Sequence, residues 1–280
     1  MIRIFIFAIL IIINLHAFAG GGWVYGKNKG YFKIAQNSIR SPKFFASDGS
    51  IVDIPTVSLY TTSIYGEYGI TDRITAIAYI PFFVRSTLNK VEFNQSKTVI
   101  PGDEINSFGD SNIGLKYGFF QDKPVVLAAS FMLGIPLGSS EVSSERILQT
   151  GDGEFNQLLK LEASHSFYPK PFYATATVGF NNRTNGFSDE FHAGIEAGIT
   201  SNKLIGIVRL YNVSSLYNGD GGNSGSNGVF ANNTEYLSFV PEVIFKASDK
   251  IGIAASGGFA FSGKQILAAP NWSFGVFMNL

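Results

Sequence analysis

The chain has 280 residues, with 21 basic and 21 acidic side chains, no cysteine, 31 glycines, 26 phenylalanines and 12 tyrosines. A formal charge of zero gives no electrostatic footprint for nucleic acid, and the lack of cysteine excludes thiolate metal sites, thiol nucleophiles and a disulfide scaffold. Mean hydropathy is +0.16, yet beyond the N-terminus no apolar run approaches the roughly 18 residues that a membrane helix needs.

Met1-Ile2-Arg3 is a short basic start, followed by the apolar run Ile4–Ile13 and the small residues Ala17 and Ala19 before Gly20. This pattern predicts a secretory signal over 1–19, cleaved after Ala19, and a mature chain of residues 20–280. An uncleaved anchor is disfavoured, because the run is short for a span and no stop-transfer flank follows.

The rest reads as alternating runs. The first covers about Tyr31–Arg40, and a loop with Pro42 and Asp48-Gly49 leads to the second, about Thr56–Gly69. After the turn Thr71-Asp72-Arg73 comes the third, about Ile74–Arg85, then a polar loop over Ser86–Ser107. The clearest pattern is Gly109–Gly138, two runs about the turn Gln121-Asp122-Lys123-Pro124. Ile113, Leu115, Tyr117 and Phe119 share one parity in the first of these, and Val125, Leu127, Ala129, Phe131, Leu133, Ile135 and Leu137 in the second. The other parity is mostly small, polar or charged. A period of two is the strand signature, since successive Cβ atoms point to opposite faces, and these runs exceed the usual ~5–6 residues of a soluble strand.

A polar loop over Ser139–Gly153 precedes the sixth run, about Glu154–Tyr168, which the turn Pro169-Lys170-Pro171 ends because proline cannot donate to a central ladder. Runs at about Phe172–Asn181, Glu190–Ile199, Leu204–Val213, Thr234–Ala247, Ile251–Ser262 and Asn271–Leu280 complete the chain. The longest low-complexity stretch, Asn218–Gly228, lies among them.

Short turns alternate with mostly longer polar loops, and the strand number is about twelve, an even count that fits an outer-membrane pattern. Tyr68, Phe119, Phe167, Phe172 and Phe245 lie beside short turns with outward parity, the expected periplasmic girdle; Phe82, Phe180, Phe191, Phe261 and Trp272 suit the opposite rim. The predicted fold is therefore all-β, a closed antiparallel transmembrane β-barrel in a Gram-negative outer membrane. Closure follows because lipid offers the backbone no hydrogen-bond partners. Trp272, Phe274, Val276, Met278 and Leu280 alternate to the last residue, like the C-terminal signal read by the barrel assembly machinery, although that signal usually ends in Phe or Trp.

Glu67-Tyr68-Gly69-Ile70-Thr71-Asp72-Arg73-Ile74, Gly109-Asp110-Ser111-Asn112-Ile113-Gly114-Leu115-Lys116-Tyr117, Gly134-Ile135-Pro136-Leu137-Gly138 and Thr150-Gly151-Asp152-Gly153 resemble, in this order, the outer-membrane barrel family named for the meta-cleavage pathway of phenol degradation. The resemblance covers most of the mature chain and rests on turn and strand chemistry. The family often has Pro-Thr-Gly where this chain has Pro136-Leu137-Gly138. The resemblance implies passive passage of small molecules, with hydrophobic or aromatic solutes favoured.

The inward parity collects Lys33, Glu67, Lys116, Lys160, Glu162, His192, Glu196, Arg209, Glu242 and Lys246. Lys116, Lys160, Glu162, Glu196, Arg209 and Glu242 are the expected lumen lining. A solute path and a lumen merely filled by ion pairs both stay open, because eight-stranded barrels are plugged, sixteen-stranded ones hold channels and twelve falls between. A structural or adhesive barrel without throughput is a second reading. A lipid hydrolase is a third, tested by Ser164-His165-Ser166: neighbours on a strand face opposite ways and cannot present a Ser–His dyad. No catalytic residue, metal or cofactor is expected; the Gly-rich loops have too few carboxylates for Ca²⁺, and no nucleotide fingerprint opens a helix. The expected partners are outer-membrane lipid, the assembly machinery and a small-molecule solute, with no nucleic acid.

Overall fold

A computed structural model describes residues 20–92, 97–140, 148–220 and 230–280. The predicted signal over 1–19 lies outside the described residues, as do Ser143-Ser144-Glu145-Arg146 and most of the Gly-rich stretch after Asp220.

Among the described residues every long element is a strand: β1 Gly30–Phe45, β2 Ile51–Gly69, β3 Ile74–Leu88, β4 Ser111–Phe120, β5 Val125–Ile135, β6 Asn156–Ser166, β7 Phe172–Arg183, β8 Glu190–Thr200, β9 Leu204–Ser215, β10 Glu235–Lys246, β11 Ile251–Lys264 and β12 Asn271–Asn279. Consecutive strands pair antiparallel, and β1 pairs with β12 as well as β2, Tyr31 facing both Asn279 and Glu67. The ladder thus closes into a twelve-stranded barrel without a free edge. The alternation that predicts the strands also sorts their faces. Leu115, Leu161, Ile195, Val243 and Phe274 are exposed on the outer wall, while Ser130, Ser164 and Thr175 are buried inside. All ten girdle aromatics are exposed, Trp272 at 57 % and Phe261 at 64 %.

Three expectations change. Pro42 is not in a loop but inside β1, where the β1–β2 register shifts between Ser41 and Lys43; a bulge leaves one residue unpaired, so the missing N–H costs no ladder bond. The stretch Ser86–Ser107 is not wholly loop. β3 runs on to Leu88, Val91–Glu92 pairs with Val99–Ile100, and Asp103–Ser107 continues the wall beside β3. Around Pro81 the ladder breaks on both sides, with a register shift between Thr62 and Ile64 and no pairing to β4 beyond Tyr79. Phe82 and Phe83 are consequently both exposed outward, where strict alternation allows only Phe82.

Candidate functional site

The lumen is the candidate site, and the chain's own N-terminal segment enters it. The Gly22 amide donates to Ser164 Oγ at 2.9 Å, and the Gly22 carbonyl accepts from Gln121 Nε2 at 2.8 Å. Val24 N–H donates to Gln121 Oε1, Tyr25 N–H to Thr75 Oγ1 at 2.9 Å and Lys27 N–H to Asp72 at 2.9 Å. Trp23 meets Tyr173 edge-on at 5.6 Å. These anchors lie in or near the turns ending β2, β4 and β6, so the segment crosses the periplasmic mouth beneath β3–β7. Glycine is required here: a Cβ on Gly22 would lie 2.9 Å from Val126 O, and Gly21, at φ +76°, would place one 2.6 Å from Thr175.

Above this segment the inward charges form two groups. Lys116 Nζ lies 3.3 Å from Glu67, 3.9 Å from Glu162 and 3.2 Å from the Gly21 carbonyl, and all three side chains are buried. In the second group Arg209 bridges Glu196 and Glu242, with Glu242 at 2.6 Å, and Lys33 reaches Glu242 at 3.5 Å. Tyr173 donates its hydroxyl to Glu196 at 2.8 Å. β8 and β9 place Glu196 directly opposite Arg209, which is why this pair forms locally. Lys160 also faces inward, partly buried beside Gly179, and makes no ion pair within the described residues.

A cavity of about 550 Å³ follows the inner face of β1 from Tyr31 to Ile39 and of β2 from Glu67 to Leu59. Eight residue steps make about 26 Å along the strand, close to the hydrocarbon thickness before tilt is considered. Glu196, Arg209 and Glu242 border it; Lys116, Lys160 and Glu162 lie outside its lining. The expected lining residues are thus divided, three along the cavity and three packed towards the opposite wall. Parity places all six inside, but it cannot say which part of the lumen the N-terminal segment fills.

Sequence reasoning missed the aromatic and apolar part of the lining. Tyr25, Tyr31, Tyr65, Tyr79 and Phe277 border the cavity, with Tyr31 stacked on Phe277 at 5.4 Å. Ile205, Ile207, Ile244, Ala254 and Phe277 form an apolar cluster inside the barrel. The run Leu204-Ile205-Gly206-Ile207-Val208 is apolar at both parities, and that loss of alternation is the signal. Towards the extracellular end Val57, Leu148 and Leu267 are buried together against Ile39, Leu88 and Ile105, so a loop residue, Leu148, folds over the upper end of the cavity.

The extracellular loops are tied down separately. Arg183 reaches Asp152 at 2.8 Å, Glu154 at 2.5 Å and Glu190 at 2.8 Å, and its guanidinium lies 4.5 Å from the Phe187 ring. Asp110 accepts from the Gly138 and Asp152 amides at 2.9 and 2.7 Å. Burial, with Glu154 and Asp110 nearby, pushes the Asp152 carboxyl up to about 7 against the opposing pull of Arg183 and the Glu154 amide. For the hydrolase reading, the ladder confirms that Ser164 and His165 face opposite ways. Ser164 Oγ contacts Gly22 and Thr175, while His165 Nδ1 lies 2.6 Å from Pro124 O. His192 sits between Tyr211 and Glu190, and among the described residues no serine is in its hydrogen bonds.

Comparison with solved structures decides the fold class. The chain resembles the COG4313 outer membrane channel from Pseudomonas putida F1 at TM-score 0.67 and 12 % identity, covering 94 % of this chain and 99 % of that one. The fold is that of the outer-membrane β-barrels. The NanC porin matches at TM-score 0.52 and 8 % identity, over 89 % of this chain and 100 % of that one. The translocator domain of the autotransporter NalP from Neisseria meningitidis also gives 0.52, at 12 % identity, over 91 % and 90 %. The sequence matches no family model and no curated protein.

Proposed function

We propose that this protein is an outer-membrane channel through which small, partly apolar solutes diffuse along the inner face of β1, β2 and β12. The observation that carries this is the cavity bordering five successive inward positions of β1, Tyr31, Lys33, Ala35, Asn37 and Ile39. Its aromatic rings suit an aromatic or hydrophobic solute, and Lys33, Arg209, Glu196 and Glu242 supply polar partners for a hydroxyl or carboxylate. This agrees with what the resemblance to the phenol meta-pathway barrel family implies. In this reading a secretory signal directs the chain to the envelope, the C-terminal strand is its handle for the assembly machinery, and no catalytic step takes place. Single-channel recording of the refolded barrel in planar bilayers, with phenol and benzoate uptake into liposomes, tests it. Discrete conductance steps and solute-dependent uptake are expected; a folded, heat-modifiable barrel that shows neither would overturn the reading. A barrel without throughput is the alternative, favoured by the N-terminal segment at one end of the lumen and by Leu148 at the other.

A further inference from the structure

The two lumen ion clusters do not balance. Four carboxylates, Glu67, Glu162, Glu196 and Glu242, are paired with three cations, Lys33, Lys116 and Arg209. Lys160, the next inward position up β6 from Glu162, reaches none of the four among the described residues. The shortfall falls on the Lys116 group, where one ammonium serves two buried carboxylates. Glu162 is 7 % exposed, and its Oε2 accepts no hydrogen bond from a described residue, Lys116 Nζ standing off at 3.9 Å. A buried carboxylate in that state carries a large desolvation cost unless a further donor reaches it.

A donor is close at hand. Gly21 gives its carbonyl to Lys116 Nζ, Gly22 lies against the Glu162 and Ser164 backbone, and Gly20 borders the same cavity as Glu67 and Glu196. Gly20 itself is exposed, and among the described residues nothing lies within 4 Å of where its Cβ would stand, so there is room around it. We propose that the buried carboxylates around Lys116 form a primary-ammonium site, and that its occupant is the α-ammonium group of Gly20 in the mature chain. The inference rests on cleavage after Ala19: water hydrolyses the Ala19–Gly20 peptide bond, Ala19 leaves as a carboxylate, and the new Gly20 amine takes up a proton. Processing then supplies the missing positive charge next to Gly21 and Gly22, which are already hydrogen-bonded to Lys116 and Ser164. Gly21 and Gly22, where a Cβ would meet Thr175, Ser164 and the Glu162 backbone, are what let the segment behind that terminus lie so close to β6 and β7. An amide nitrogen in an unprocessed or N-terminally extended chain carries no such charge.

The test uses the full mature barrel in detergent micelles, its first residue established by intact mass, with 2-pyridinecarboxaldehyde as an amine reagent selective for chain termini. Ion pairing that raises the amine pKa by one unit leaves about tenfold less free amine at a given pH, so labelling of folded protein is expected to run at least about tenfold slower than in denaturant. Glu162→Gln is expected to recover much of that rate. A second variant guards against misfolding: a Gly-Gly extension before Gly20 keeps every wall residue and is expected to lower the unfolding temperature on a heat-modifiability gel. Equal labelling in folded and denatured protein, an unchanged unfolding temperature for the extended chain, or a mature chain beginning elsewhere would each overturn the proposal. Conductance does not enter these readouts, so the channel reading stands or falls separately.

Discussion

Ser164 Oγ accepts a 2.9 Å hydrogen bond from the Gly22 amide, joining the N-terminal segment to β6 across 142 positions of sequence. Ser164 is 1 % exposed, and its hydroxyl also lies 2.8 Å from Thr175 Oγ1, so the attachment is part of the packed wall. The segment therefore occupies part of the periplasmic mouth as a fixed piece of the wall.

Gly22→Val tests that role. The added side chain meets Val126 O and the Glu162 and Ser164 backbone, none of which can turn aside as a flexible side chain would. The segment is expected to leave the mouth, raising single-channel conductance while heat-modifiable mobility is kept. An unchanged conductance would mean that the segment does not restrict the path.

Lys33 borders the cavity at 24 % side-chain exposure and pairs with Glu242. Lys33→Glu removes one positive charge and adds a negative one beside Glu242. Reversal potentials in a salt gradient are expected to shift towards cation preference. Lys160→Glu, away from the cavity lining, is expected to shift them less; the opposite ranking would place the path along β6.

Leu161 is 54 % exposed at the middle of β6. Leu161→Lys puts a charge against the hydrocarbon and is expected to cost about 2–4 kcal/mol of folding free energy in urea titration of the bilayer-inserted barrel. The same substitution at Thr177, an inward position opposite Glu162, is expected to cost less. Equal costs would contradict the assignment of faces.

The extracellular tie should depend on pH through Asp152. Its carboxyl titrates at about 7 in the folded protein against an ordinary value of 3.8, so the folded state holds the proton more tightly than the unfolded chain. The stabilisation is complete below the ordinary value and is lost as pH rises from about 4 to about 7. Arg183, which also holds Glu154 and Glu190, and Asp110 surround the group. Hydrogen exchange, corrected for intrinsic rates, is expected to show looser amides at Gly138 and Asp152 at the upper end of that range. Asp152→Asn is expected to flatten the dependence.

Much of this was legible in the alternation. Lipid demands apolar side chains outside and leaves the inside freer, so Leu115, Leu161 and Phe274 announce the outer face by parity, and Tyr68 and Trp272 announce its edges. Where Pro81 and Pro42 interrupt the ladder, parity misleads, because a bulge inserts a residue without changing composition. The division of Lys116, Glu162 and Lys160 from Glu196, Arg209 and Glu242 was equally hidden, since parity gives a face and not a position around the lumen.

The sequence by itself determined that the chain alternates, that its runs are long and that their greasy face turns outward, which in a bilayer forces every backbone group into a closed ladder. Only the tertiary structure decided what fills that ladder. Gly22 reaches Ser164, Lys33 reaches Glu242 and Leu148 reaches Val57 across wide gaps in the chain, and such meetings depend on closure and register. A period of two carries no record of either.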